Sequence, residues 1–447
     1  MQEGNNLTQG NIFKNMVVFC IPLLITNLLN SMYNIVDAMW VGRLVGDNGV
    51  ATITNAFPII LVASSILAGV TVTTSVMVSQ RYASTEREKI KDVITPLYII
   101  SMILGVITSI GLVLSLDFWL DLFNTPQEIL EMSKQYLTIY LLGYIFNFFE
   151  MTIIEAIRAM GNSKAPLVIL TIAMVINVIL DPIFILMGFG IAGAAIATSI
   201  AMILCLVIAL IYVVKYSPLL RFSKKHMKIE KKFLKEASII GLPMMVEELS
   251  TIFTIMLEVY VSNSLGIIGS SAYGIISKLQ QVIWIVGGTV RTLMTVVIGQ
   301  FIGAGEYNNL KVALKNGAKL IIIPTIIIAL SLITLSRPFC YIFTNNTEVI
   351  ETALEYLSVV GIAFTLVPVC QLLYGFVLGT GNTRFTFVAC ILASMAEIGV
   401  VLYINNIYQK PLVALGLGIV SWYILLTLMC YIYYRSQKWK VSYSEQR

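Results

Sequence analysis

Long apolar stretches separated by short polar ones fill the chain, and twelve of them have the length of a membrane-crossing helix. They run approximately over residues 15–41, 50–80, 94–116, 133–158, 166–187, 191–214, 237–263, 269–302, 317–338, 352–378, 385–405 and 411–434. About 20 residues at a helical rise of 1.5 Å cross the hydrocarbon of a bilayer, so the longer stretches are expected to tilt, bend or project into water. The apolar runs are continuous rather than alternating, which excludes a transmembrane β-barrel. An all-α integral membrane protein follows.

Polar residues inside these stretches carry the information. In the first, Asn27, Asn30, Asn34 and Asp37 recur at spacings of three, four and three, which places them on one face of a helix. Pro22, near the start, has no backbone donor and is expected to act as a kink and hinge. An acid in a membrane helix is costly unless it faces protein or water, so Asp37 points to function. The alternative is that the stripe only bonds this helix to a neighbour.

The pattern recurs 221 positions later: Pro243 answers Pro22, Glu248 answers Asn27, Thr251 answers Asn30 and Glu258 answers Asp37. Further along the offset is 220. There Gln300 answers Gln80, Gly381-Asn382 answers Gly161-Asn162, Arg384 answers Lys164 and Glu397 answers Asn177. A near-constant offset close to half the chain length predicts two homologous halves of six helices each. The expected organisation is a bundle over 1–214, a basic linker over 215–236, a second bundle over 237–436 and a tail over 437–447. Both halves begin on the same side, so their symmetry axis is expected along the membrane normal, with a central cavity between them.

Composition agrees: 58% of residues are hydrophobic and 12% charged, with a mean hydropathy of +0.87, whereas soluble domains carry about 25% charged residues. Placing the amino terminus in the cytoplasm assigns 23 of the 29 Lys and Arg to cytoplasmic segments, so both termini are expected inside. The amino terminus is polar up to Lys14 and lacks a small-residue cleavage site, so the first helix is expected to be retained. The basic linker obeys the same charge rule and predicts no nucleic-acid partner. Six cysteines lie scattered without metal or redox spacing, and His226 is the sole histidine, which excludes histidine-based metal and triad chemistry. GxxxxGK[ST] does not occur, which argues against direct ATP coupling.

Further candidates lie deeper in the chain. Asn177 and Asp181 are four apart and share a helix face, just before Pro182. Carboxylate and amide oxygens at that spacing can hold Na⁺ or share a proton, and Asp37 could join them; the alternative is that Asp181 caps a break at Pro182. Glu150, Glu155 and Arg158 occupy the fourth stretch, with Glu155 and Arg158 spaced to pair at i, i+3. The second half carries Glu247, Glu248, Glu258, Lys278, Arg291 and Glu397 within apolar segments. Glu258 and Glu397 lie deep enough to expect a cavity or partner, with Lys278 as the natural counter-ion of one of them. Glu247 and Glu248 lie nearer the cytoplasmic end, where solvation can account for at least one.

These residues resemble a known family over nearly the whole chain. Asn34-Ile-Val-Asp37, Gly161-Asn162-Ser-Lys164-Ala-Pro166, Asn177-Val-Ile-Leu-Asp181-Pro182, Gly193-Ala-Ala-Ile-Ala-Thr198 and Gly379-Thr-Gly381-Asn382-Thr-Arg384 are similar to the pattern of the multidrug and toxic compound extrusion (MATE) transporters. The resemblance implies twelve transmembrane helices in two homologous six-helix bundles forming a V around a central cavity. It implies export of organic, often cationic, compounds in exchange for H⁺ or Na⁺. It also implies a coupling site, for H⁺ or Na⁺, at Asp37, Asn177 and Asp181, or at a glutamate matching Glu258 with an acid in the tenth helix. Here that helix reads FTLVPVCQLLYG and has no acid.

The expectation is therefore a secondary active exporter of the cytoplasmic membrane working by alternating access, a monomer and not an enzyme, with no cofactor beyond the coupling ion. Asn30, Asn34, Glu258, Glu397 and Lys278 are the candidates for cargo contact or proton relay. The alternative is a flippase for a lipid-linked saccharide or other amphiphile, which a cavity rich in Arg and Lys would favour. An intramembrane aspartyl hydrolase would need two acids converging on one water, and the two-half repeat argues against it.

Overall fold

A computed structural model describes residues 4–442 except 86, 124 and 438. The last part of the expected tail, residues 443–447, lies outside the described residues. Among the described residues twelve long helices carry the fold: α1 (Ile12–Leu44), α2 (Asp47–Tyr82), α3 (Ile90–Leu114), α4 (Gln127–Ala159), α5 (Lys164–Phe184), α6 (Gly190–Tyr216), α7 (Lys231–Asn263), α8 (Gly266–Gly303), α9 (Leu310–Thr334), α10 (Thr347–Gly379), α11 (Thr383–Tyr408) and α12 (Pro411–Ser436). Among the described residues, 11 stretches are long and apolar enough to cross a membrane. One of these, Lys164–Tyr216, has 53 residues, about 80 Å of helix, far more than one crossing needs. It is two helices, α5 and α6, which pack on each other and are joined by a π-turn over Ile185–Phe189 where Gly188 takes φ 96°. The chain is a multi-pass integral membrane protein.

Most helices extend a few residues past their expected ends, because polar first and last turns continue the backbone hydrogen bonds once the chain has left the apolar zone. The largest extension is at α9, which begins at Leu310 rather than 317. Two short helices, Leu116–Leu122 and Ser336–Phe343, were not expected from the apolar pattern. They lie 220 positions apart, as the repeat requires.

Proline leaves α1 continuous. Pro22 is buried within it and cannot donate to the carbonyl four residues back, while Thr26 Oγ1 donates to the Pro22 carbonyl at 2.8 Å.

The helices group into two compact units. One takes the chain up to Asn6 and Ile21–Met245; the other takes Leu7–Cys20 and the chain from Val246 onward. The division falls inside α1 and α7, beside Pro22 and Pro243, rather than between helices. In the first unit α4 is central, packed by α2, α3 and α6. At Gly143 it packs tightly on α6, where a Cβ would overlap the Ser199 Oγ and sit 3.0 Å from the Ser199 Cα. In the second unit α10 is central, packed by α8, α9 and α12. A Cβ on Gly375 would lie 2.6 Å from the Arg291 carbonyl oxygen, so only glycine lets α10 approach α8 this closely. The start of the linker is tied to the first unit: Leu219 and Leu220 are buried, and Tyr98 donates to the Leu220 carbonyl at 3.1 Å.

The repeat is written in hydrogen bonds. Gly161 and Gly381 both take a left-handed φ, 79° and 82°, where α4 and α10 end. The next residue repeats as well. Asn162 Oδ1 accepts from Ala165 N at 3.1 Å, and Asn162 Nδ2 donates to Tyr212 at 2.9 Å. Asn382 Oδ1 accepts from Phe385 N at 3.2 Å, and Asn382 Nδ2 donates to Tyr433 at 3.2 Å. An amide there serves as N-cap and staple together, which explains why Gly-Asn stands at both turns.

Candidate functional site

Each unit contains a cluster of buried carboxyl groups. In the first, Asn177 and Asp181 lie one turn apart on α5, and neither is accessible to solvent. With its amide oriented to satisfy both ends, Asn177 donates to Asp181 Oδ2 at 2.9 Å and accepts from Thr198 N of α6 at 3.0 Å. Asp37 of α1 reaches the same place, its carboxyl within hydrogen-bonding range of Asp181. Two ionised carboxylates offer each other only acceptors, so this contact needs a proton or a cation between them. Each acid also keeps one oxygen, Oδ1, with no hydrogen-bond partner among the described residues. The expected meeting of Asp37, Asn177 and Asp181 is present. Capping of a break at Pro182 is not: Pro182 lies inside α5, which continues to Phe184.

Three residues complete the cluster. Tyr33, one turn before Asp37, hydrogen-bonds Thr198 and stands close to both acids. Tyr136 of α4 lies near Asp37 and Asp181 and begins a stacked ladder, Tyr136–Tyr140–Tyr144, with ring centroids 5.8 and 5.9 Å apart. The repeat could have pointed to Tyr136, because Tyr356 follows it by 220 positions and stands beside Glu258 in the second unit. By contrast Asn30 and Asn34 are exposed. At 100° per residue Asn34 is turned about 60° from Asp37, and Asn30 lies two turns below it. The polar stripe of α1 therefore splits: Tyr33 and Asp37 enter the cluster, and those two asparagines do not. The expected Glu155–Arg158 pair is present at 3.2 Å. Glu150, buried nearby, is hydrogen-bonded by Asn147 and Cys205.

The second unit encloses a cavity of about 310 Å³. Four carboxyl groups line it, Glu247, Glu248, Glu258 and Glu397, and one cation, Arg291. Tyr273 donates to Glu258 Oε2 at 2.7 Å, and Tyr374 donates to Glu247 Oε1. Glu258 and Glu397 are within electrostatic reach of each other. Aromatic walls are held in place by their own polar edges: Trp284 Nε1 donates to Tyr423 at 3.1 Å, and Trp422 Nε1 to Ser394 at 3.3 Å. Such a lining suits a cation with apolar substituents.

One expectation changes here. Lys278 is exposed and does not line the cavity. On α8 it is turned about 140° from Tyr273, whereas Trp284 and Arg291, 11 and 18 residues on, stay within about 20° of the face of Tyr273. The cavity cation is therefore Arg291, 13 residues and more than three turns along α8 from Lys278. Of the two acids nearer the cytoplasmic end, Glu247 is only 6% exposed and bonded to Tyr374, while Glu248, 31% exposed, is the one that solvation can account for. Among the described residues, no group of three or more His, Cys, Asp or Glu is placed to hold a metal ion.

The MatE family model matches this chain twice, over residues 22–183 and 243–404. The chain belongs to the MatE family. The two matches begin and end 221 positions apart, the repeat read from the prolines and acids. A probable multidrug resistance protein of Bacillus subtilis (strain 168), YoeA, is 25% identical over 440 residues, covering 96% of this chain and 94% of its own. A MOP superfamily transporter from Pyrococcus furiosus, described as having a binding pocket of reverse polarity, superposes with a TM-score of 0.90 at 22% identity, over 98% of each chain. An outward-facing MATE multidrug resistance transporter gives 0.89 at 21% identity, again over 98% of each chain. The fold is that of two six-helix bundles. As a MatE member the protein is a secondary active transporter of small organic compounds, and not an enzyme.

Proposed function

We propose that this MatE protein exports organic cations across the cytoplasmic membrane in exchange for protons, by alternating access. The observation that carries this reading is the direct meeting of Asp37 and Asp181 in the first unit. A carboxyl pair in contact takes up a proton and sheds one of its two negative charges, whereas Na⁺ needs several oxygens arranged around it. Asn177, tied to Thr198, holds Asp181 in place for that exchange. A proton entering from outside joins the acids, and α1 bends near Pro22, where a backbone hydrogen bond is already missing. Cargo leaves outward as a result, and the proton departs to the cytoplasm. The organic cation is bound in the cavity of the second unit, where Glu258 and Glu397 supply negative charge.

Four acids against one arginine favour this reading over a flippase, whose lipid-linked cargo carries phosphate and needs cations. The transporter works as a monomer, because each chain carries both clusters. Reconstituted in liposomes, it should drive uptake of a fluorescent cation on a pH gradient in Na⁺-free buffer. A requirement for Na⁺ at fixed pH would sink the proton assignment.

The positive residues favour both termini in the cytoplasm. With the native cysteines replaced, a cysteine at Ser436 should resist an impermeant thiol reagent in intact cells, while one at Asn345 should label. The reverse pattern would invert the orientation.

A further inference from the structure

Arg291 stands apart from the four acids of the second cavity. Its Nη1 lies 3.7 Å from Glu248 Oε1, a loose ion pair, with the two side chains 37% and 31% exposed. Its backbone is fixed, since Gly375 of α10 packs against the Arg291 carbonyl and Thr295 Oγ1 donates to that carbonyl at 2.8 Å. A long side chain with several rotatable bonds thus reaches the cavity from a closely packed stretch of backbone. Beside it Glu247 lines the cavity, is more than nine-tenths buried, and keeps Oε2 without a hydrogen-bond partner among the described residues. One acid is occupied by the protein's own guanidinium, and its neighbour has an unused acceptor.

We infer that Arg291 is a tethered counter-ion that organic cations must displace from Glu248 to bind, and so sets which cargo the cavity accepts. This rests on the reading that the cavity takes organic cations. A cation that is bulky or weakly charged cannot win Glu248 from a guanidinium held at high local concentration. One that reaches Glu247 and Glu248 together gains both acids and pushes the guanidinium aside towards the face of Tyr374, whose ring centre lies 6.0 Å away. Arg291 thereby acts as a threshold against weak ligands and offsets part of the negative charge of the empty cavity.

The two members of the pair have opposite effects, and that separates a counter-ion from a packing residue. Benzyltrimethylammonium and its uncharged isostere neopentylbenzene serve as probes, with affinities measured on the purified full-length transporter. Arg291→Gln should tighten the cation about tenfold, since a unit charge removed at cavity distances is worth that much. Glu248→Gln, which leaves the guanidinium unpaired, should weaken the cation by a similar factor. The double variant should return close to wild type, Arg291→Lys should stay close to it, and neopentylbenzene should not respond. Weaker cation binding in both single variants, or parallel changes for the two probes, would make Arg291 a packing residue and overturn the inference. If no variant shifts either probe, the cavity is not the cation site, and the underlying reading fails together with this one.

Discussion

Asp37→Asn should abolish proton-driven export while leaving the protein folded, inserted and able to bind cargo. Asparagine keeps the size and a hydrogen bond to Asp181 but cannot release a proton, so the pair is locked in the likeness of its singly protonated form. An antiporter gains work only from the difference between its loaded and unloaded states. With that difference gone, the rate under a pH gradient should fall on the order of 100-fold, about 2.7 kcal/mol in the barrier for the driven step. Asp181→Asn should behave in the same way, because the two carboxyls hold one proton between them. Initial rates of efflux from proteoliposomes, with cargo binding measured in parallel, separate lost coupling from lost protein. Wild-type rates in Asp37→Asn would reduce the pair to a packing feature.

Glu258→Gln should weaken binding of an organic cation about tenfold or more and leave a neutral ligand of equal size unaffected. Glu258 is buried, with Tyr273 donating to one oxygen and Glu397 lining the same cavity within electrostatic reach. Removing a full negative charge from such a place costs a bound cation of the order of 1–3 kcal/mol at an effective dielectric near 20. Glutamine still accepts from Tyr273, so the wall keeps its shape. Proton coupling through the first unit should persist, with the pH dependence of residual export unchanged. Equal losses for charged and neutral ligands would show that Glu258 shapes the cavity rather than attracting charge. Loss of the pH response would place coupling in the second unit instead.

Much of this arrangement is legible in the residues because the chain states it twice. Gly161-Asn162 and Gly381-Asn382 mark the same turn, since only glycine enters the left-handed conformation cheaply and only a short amide caps the next helix and reaches a tyrosine as well. Asp37 and Glu258 stand out because an acid in an apolar helix is expensive. What escaped the pattern depends on rotation about a helix axis and on which neighbour packs there. Tyr33 and Tyr136 look like ordinary amphipathic residues until Asp37 is seen beside them. Lys278 and Arg291 are equally charged on the page, and only the direction in which α8 presents them decides that Arg291 faces the cavity. The break between α5 and α6 at Gly188 was readable from its glycines, while the π-turn that makes it was not.

Proton release on cargo binding is the measurement closest to the central claim, that the Asp37–Asp181 pair exchanges a proton for cargo. Binding linkage is reciprocal, so cargo that favours the deprotonated pair must expel a proton when added to the purified transporter. In weakly buffered detergent solution at constant Na⁺, a saturating organic cation should release on the order of one proton per wild-type transporter and none from Asp37→Asn or Asp181→Asn. Absence of release from wild type, or equal release from Asp37→Asn, would contradict the account.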